Sequence, residues 1–308
     1  MSVLVFGSLN MDLVVQSPRL PVPGETILGT HFDTIPGGKG ANQAVAVARQ
    51  NVTTLMVGRV GIDPFGHELR HGLAVEGINV EGVQSDPEAR TGVAAIAVAT
   101  TGDNHIVVVP GANSHVNNTD LAYLENLFTQ AQLLLMQFEI PLPIVTAAAE
   151  RAYKAGLTVM VDPAPAQASI PKALYRYTHI LTPNQVEAAQ LVGFPVSTIA
   201  DATRAAKVLR QWGVEIVLIK LGEQGVLCAT AEATFHTPAF PVQAVDTVAA
   251  GDAFNGGLAA ALHEGKNWPA AINWANATAA LSVTQTGAQT SLPQRAEVEA
   301  FLQQHTQN

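Results

Sequence analysis

Charge is scarce in this 308-residue chain. Asp, Glu, Lys and Arg make up 13% of it, with 16 basic against 25 acidic side chains and a formal net charge of −9. So few cations cannot form a broad phosphate-neutralising face, which argues against a nucleic-acid partner. Cysteine is scarcer still: Cys228 stands alone, excluding an intramolecular disulfide and any cysteine cluster for zinc. Long apolar runs are also missing, since stretches such as Val93 to Ala99 are too short to span a bilayer. Met1 to Gly7 has no basic leader or cleavage region and reads as a first strand running into a turn. No polar linker, low-complexity tract or internal repeat divides the chain. What is plentiful is apolar material, 48% of the residues, much of it dispersed Ala and Val. That excludes wholesale disorder and supports a large core. The expectation is one substantial cytosolic domain away from membranes.

Short Val/Ile/Leu-rich runs alternate with longer helix-like stretches, the pattern of an α/β fold. Core strands are expected at Val3 to Phe6, Leu55 to Val60, Leu133 to Met136, Thr158 to Asp162, His179 to Leu181 and Ile216 to Lys220. Their near-continuous apolar character suits parallel strands covered on both faces. Helices are expected at Ala41 to Arg49, Gly66 to Glu76, Pro141 to Ala155, Asp201 to Gln211, Gly251 to His263 and Pro269 to Ser282. Two stretches, 13–35 and 91–109, break this rhythm with extended segments. The second turns at Thr101-Gly102-Asp103-Asn104, and both could join a small antiparallel sheet that is either a lid or a plain extension.

Two segments carry the chemistry. In Pro36-Gly37-Gly38-Lys39-Gly40-Ala41-Asn42-Gln43-Ala44, glycines lead directly into a helix whose free amides can receive a ligand oxygen. The G-x-x-x-x-G-K-[ST] pattern is absent, and a tight strand-to-helix turn is the plainer alternative. In Ala244-Val245-Asp246-Thr247-Val248-Ala249-Ala250-Gly251-Asp252-Ala253-Phe254, a short strand is expected to end at Asp246 and a helix to begin near Gly251. The small side chains of Ala249, Ala250 and Gly251 expose amides at that helix start, an anion hole made of partial charges. Asp252 beside it can take a proton from an attacking hydroxyl. Its plainer reading is an acid that favours the first helical turn, with Asp246 capping the turn before it.

Together these segments resemble the ribokinase, or PfkB-type, family of sugar and nucleoside kinases, with likeness from Gly7-Ser8-Leu9-Asn10-Met11-Asp12 to Gly287-Ala288-Gln289-Thr290-Ser291. The resemblance implies a mostly parallel, helix-flanked sheet with a small β lid, often paired through the lid as a homodimer. By the same resemblance Asn10, Met11 and Asp12 line one wall of a sugar pocket. Gly38, Lys39, Gly40, Ala41 and Asn42 line the second wall, with Glu139 further along. From spacing alone Glu139 reads as a helix-start acid. For ATP the resemblance points to Asn184, Gly251, Asp252, Asn276 and the loop Lys220-Leu221-Gly222-Glu223-Gln224-Gly225, with Glu187 organising Mg²⁺. Lys220 departs from a frequent Thr at its position. A K⁺ site is implied at Asp246, Val248, Ser282, Gln285, Gly287 and Ser291.

The activity implied is phosphoryl transfer from ATP to O5 of D-ribose, with Asp252 as base and the Ala249–Asp252 amides on the transferring group. Rivals are a kinase for 2-deoxyribose or another furanose or nucleoside, and a non-catalytic sugar sensor on the same fold. A nicotinamide oxidoreductase is disfavoured because no G-x-G-x-x-G follows the first strand.

Overall fold

β1 (Ser2–Phe6) is buried along its whole length. Val3 and Val5 pack into one hydrophobic cluster and Leu4 and Phe6 into another, so the sheet has a core on each face. The computed structural model describes residues 1–167 and 169–306. After β1 the chain leaves the main sheet for β2 (Asn10–Ser17) and β3 (His31–Gly37), then enters α1 (Lys39–Ala48). β4 (Thr54–Gly61), α2 (Pro64–Val75) and β5 (Asn79–Asp86) follow, and a second excursion forms β6 (Gly92–Ala99) and β7 (Asn104–Val109). The chain then returns through a short 3₁₀ turn, Gly111–His115, to α3 (Asn118–Asn126).

The next stretch holds β8 (Ala131–Met136), α4 (Leu142–Lys154), β9 (Thr158–Val161), α5 (Lys172–Arg176), β10 (Ile180–Leu181), α6 (Gln185–Val192), α7 (Ile199–Gln211) and β11 (Ile216–Lys220). A hairpin, β12 (Val226–Ala229) and β13 (Thr234–Thr237), precedes α8 (Ala250–His263), α9 (Trp268–Ser282) and α10 (Arg295–Thr306). The nine-stranded sheet runs β13-β12-β11-β10-β9-β8-β1-β4-β5, parallel from β11 to β5 with the hairpin antiparallel at one edge.

The small sheet has the order β3-β2-β6-β7. It is mixed rather than antiparallel: β2 and β6 pair in parallel because each begins a separate excursion leaving the same edge of the main sheet. A second expectation fails at Ala244 to Asp246, which forms no strand. The amides of Val245 and Asp246 both reach the Val283 carbonyl, at 2.7 and 3.2 Å, so the segment is held to the end of α9 instead of a sheet.

Three helices meet unusually closely. A Cβ built on Gly256 of α8 would lie 2.3 Å from the Cβ of Ala46 in α1, and one on Gly257 would lie 2.5 Å from Thr278 Oγ1 in α9. Only glycine permits that approach, and about one turn earlier on each helix Asn42 of α1 meets Asp252 of α8 at 3.0 Å. Among the described residues no helix is long and apolar enough to cross a membrane.

Candidate active site

The C-terminal ends of the parallel strands form the edge where α/β folds place ligands. Here β1 delivers Ser8 to Asn10, β8 delivers Glu139, β9 delivers Asp162, β10 leads to Asn184, and β11 ends on Lys220. The helix starts of α1 and α8 bring Lys39, Asn42, Gln43 and Asp252 to the same edge.

Asp252 is 5% exposed. Its Oδ2 accepts from Asn42 Nδ2 at 3.0 Å and its Oδ1 from Gln43 Nε2 at 2.9 Å. The same Gln43 amide donates to Asp162 Oδ2 at 3.0 Å, and Gln43 Oε1 accepts from Gln137 Nε2 at 2.6 Å. Lys220 Nζ donates to Asp162 Oδ1 at 2.9 Å. Burial raises the pKa of Asp252, the neighbouring Lys39 ammonium opposes this, and Asp162 adds to it. A carboxylate poised above its ordinary range and held at both oxygens is what a general base needs.

Beside Asp252, Ala249 adopts a left-handed φ of 60° as α8 begins. The Ala250 amide turns to the Thr247 carbonyl at 3.3 Å, whereas the Gly251 and Asp252 amides find no protein acceptor among the described residues. Two free donors at a helix start can receive an anion. A Cβ on Gly251 would lie 3.5 Å from Lys220 Nζ, so one ammonium stands against this turn.

On the sugar side, Asn10 and Asp12 share a face of β2. Met11 points the other way into the core, leaving only its backbone to the pocket. Ala41 is likewise a core residue whose amide donates to the Ser8 carbonyl at 2.9 Å. Gly40 donates to Ser8 Oγ at 3.3 Å. Gly38, at φ 89°, is required there, since a Cβ would meet the Asn10 amide nitrogen at 2.6 Å. Glu139 Oε2 accepts from Ser8 Oγ at 2.5 Å and from the Lys39 amide at 3.0 Å. It is thus an acid at the start of a helix, but of α1, a hundred residues away. Asp12 rises to about 7 because it is buried and faces Glu139 and Asp252. Lys39 is raised despite its burial, which opposes the charge, because Asp252, Asp162, Glu139 and Glu187 surround it.

Asn184 and Glu187 form a reciprocal capping box on α6: the Asn184 amide donates to Glu187 Oε2 at 2.7 Å and the Glu187 amide to Asn184 Oδ1 at 2.8 Å. The spacing therefore has a structural role, yet the Glu187 carboxylate still faces the cleft. Burial and Asp162 raise its pKa and Lys220 lowers it. In the loop after β11, Leu221 is buried and only the backbone is offered, while Gly222 and Gly225 take φ of 59° and 94°. Gly225 backs onto the segment Thr237–Ala239, and Asn276 Nδ2 donates to the Pro238 carbonyl at 3.1 Å. The two ATP-side candidates are thereby joined through one strand end.

Asp246 Oδ1 accepts from the Val248 amide at 3.0 Å and Oδ2 from the Gly287 amide at 2.9 Å. Ser282 Oγ and Ser291 Oγ are 3.0 Å apart. The K⁺ candidates thus lie on the segment before α8 and on the end of α9 with the turns after it, tied together through Asp246, and the carbonyls of Val248, Gln285 and Gly287 accept no bond among the described residues.

Sequence reasoning passed over Ser8, Gln43, Gln137, Asp162 and Asn113. Asp162 could have been noticed as the single charge closing an apolar strand. Gln43 lay inside a motif already singled out, and Asn113 lay in the turn Pro110-Gly111-Ala112-Asn113.

Residues 1–295 match the family described as pfkB family carbohydrate kinase. The chain is 41% identical to the ribokinase of Haemophilus influenzae over 299 residues, 97% of each chain. It is 40% identical to that of Bacillus subtilis over 304 residues, 98% of this chain and 99% of the other. A structure of Arabidopsis thaliana ribokinase complexed with ribose and ATP superposes with a TM-score of 0.91 at 34% identity, covering 98% of both chains. On this full-length match, and with its two signature segments meeting at one cleft, the chain belongs to the pfkB family of carbohydrate kinases.

Proposed function

We propose that the chain is a ribokinase that transfers the γ-phosphoryl group of ATP to O5 of D-ribose. The observation that carries the reaction type is Asp252: a buried carboxylate with both oxygens held, in the first turn of α8, adjoining two unpaired amides. Asp252 accepts the proton of the 5-hydroxyl as it attacks phosphorus. The Gly251 and Asp252 amides take the charge spreading over the equatorial oxygens, and Lys220 adds an ammonium at the same turn. Asn10, Asp12, Asn42 and Glu139 hold the remaining hydroxyls. Asn42 Oδ1, buried without a partner, is an acceptor left over for one of them.

Mg²⁺ fits this site as a companion of the nucleotide. Among the described residues no group of three or more His, Cys, Asp or Glu could hold a metal by itself, so phosphate oxygens would supply most ligands, with Glu187 and Asp162 nearby. When bound it neutralises phosphate charge. The tied loops at Asp246 and Gly287, with three uncommitted carbonyls, suit K⁺ and would steady the turn that presents the amides. The small sheet would act as the lid that excludes water. Its β7 is exposed throughout, Ile106 to Val109 included, which supports pairing of two lids as a homodimer. A cytosolic setting is our reading of a chain with one buried thiol.

The test is ADP release with Mg²⁺ across ribose, 2-deoxyribose, fructose and adenosine at matched concentrations. Ribose should give the highest kcat/KM; a clear preference for another acceptor overturns the substrate, and absence of turnover with every acceptor overturns the activity.

A further inference from the structure

Asn113 is fully buried in the turn that brings the chain back from β7, and it faces the strand end carrying Asn10. Its Oδ1 accepts from the Leu9 amide at 3.0 Å. A backbone amide can only donate, so this contact fixes which end of the Asn113 carboxamide is oxygen. Asn113 Nδ2 then donates twice, to the Leu9 carbonyl at 3.0 Å and to Asn10 Oδ1 at 2.8 Å. That second bond fixes Asn10 in turn. Its oxygen is spent inside the protein, and its Nδ2 has no protein acceptor among the described residues and is not sealed from the cleft. The pair is packed without slack: a Cβ on Gly92 would lie 2.3 Å from Asn10 Oδ1 and 2.4 Å from Asn113 Nδ2.

We propose that Asn113 is a positioning residue that sets sugar specificity by making Asn10 a hydrogen-bond donor only. This rests on the reading of the cleft as a ribose site. A carboxamide free to rotate could serve as donor or acceptor and would read a hydroxyl loosely. Held as it is, Asn10 demands an oxygen lone pair at one place, and a sugar lacking that hydroxyl leaves the donor unmatched. The same hydroxyl keeps its proton to donate to a neighbouring carboxylate, and Asp12 stands on the same face of β2.

Asn113→Asp tests this. The new carboxylate can still accept from the Leu9 amide but repels both the Leu9 carbonyl and Asn10 Oδ1; of these only the Asn10 amide can turn over, which presents its oxygen to the sugar. Rates are measured on ribose, 2-deoxyribose and 3-deoxyribose for the wild type, Asn113→Asp and Asn113→Ala. In the wild type, removal of the hydroxyl that Asn10 reads costs kcat/KM. In Asn113→Asp the preference for ribose over that deoxy sugar should fall by about tenfold or more, with the KM for ATP unchanged. Asn113→Ala, which releases Asn10 and leaves the Leu9 amide and carbonyl unpaired, should give a smaller fall in that preference and serves if the Asp variant does not fold. Equal losses on all three sugars, leaving the preference intact, would show that Asn113 only latches Leu9 and overturn the proposal. A wild type that ignores ribose would instead overturn the reading on which it rests.

Discussion

On the sugar side of the cleft, Asn10 and Asn42 are 4% and 6% exposed, and each has one end of its carboxamide already committed within the protein. On the phosphate side, Ala249 to Gly251 contribute no functional side chain, and the loop before them is exposed at Val245 and Val248. The contrast follows from the ligands. A hydroxyl is small, neutral and directional, so its recognition needs donors and acceptors held in fixed orientation. A phosphoryl group carries charge on several oxygens and can be received by amides at a helix start, whatever the side chains, provided the backbone is correctly shaped. One wall is sensitive to residue identity and the other to conformation. Two lysines, Lys39 and Lys220, are the exceptions that a charge-poor chain places in this cleft, facing Asp162, Asp252, Glu139 and Glu187.

Asp252 lies where the walls meet, and breaking it should have the largest effect. Asp252→Asn keeps the shape but removes the base, and kcat should fall on the order of 10³-fold. Ribose affinity, measured by calorimetry, should change little. A kcat within a few-fold of the wild type would remove Asp252 from the base role.

Lys220 asks whether the phosphate wall is purely backbone. If the ammonium meets the transferring group, Lys220→Met should lower kcat on the order of 10²-fold with ribose KM near normal. Its side chain is 13% exposed and that of Asp162 only 2%, so the variant also strands a buried carboxylate. Repeating the change with Asp162→Asn separates the two effects. Recovery of kcat in the double variant would assign Lys220 to neutralising Asp162 and leave the phosphate wall to amides.

Asp12 offers a gentler probe of the sugar wall. Its folded pKa of about 7 lies above the ordinary 3.8, because burial and the Glu139 and Asp252 carboxylates favour its protonated form. That contribution to stability is fully present below pH 3.8 and is lost as pH rises through about 7. A hydroxyl donating to the ionised carboxylate works in the opposite sense. Ribose should therefore raise Tm more at pH 8 than at pH 5, and Asp12→Asn should flatten that difference. A ribose-induced shift independent of pH in the wild type would contradict it.

Much of this was legible in the sequence because short-range patterns carried it. Six of the parallel strands are visible as apolar runs, and α8 and α9 as Ala-rich stretches, each placed within a residue of its start, whereas the edge strand β5, Asn79–Asp86, is too polar to show. The segment before α8 reads as a strand because Ala244 and Val245 are apolar, and only the distant Val283 carbonyl, which accepts from the Val245 and Asp246 amides, shows otherwise. Site residues whose partners lie far along the chain were hidden for the same reason. Gln43 bridges Asp162 and Asp252, 119 and 209 residues away, and Asn113 meets Leu9 across 104. Their local settings, a glycine-rich motif and a Pro-Gly turn, draw attention to both, but nothing local shows which distant groups they meet.

The smallest effect belongs to the conformation of the phosphate wall itself. The Asp246 carboxylate ties the Val248 amide to the Gly287 amide, and the carbonyls of Val248, Gln285 and Gly287 are left uncommitted beside it. Carbonyl oxygens prefer a weakly hydrated monovalent ion they can surround, so K⁺ should be taken here in preference to Na⁺. The ion would touch neither sugar nor phosphate; it would hold the turn that aims the Gly251 and Asp252 amides. Initial rates at equal ionic strength should be higher in K⁺ than in Na⁺, with the change in kcat rather than in ribose KM. Asp246→Ala, which cuts both ties, should lower the rate and abolish the difference between the salts. Equal wild-type rates in the two salts would mean that the loop holds its shape unaided, and that conformation on this wall is set by the Asp246 hydrogen bonds alone.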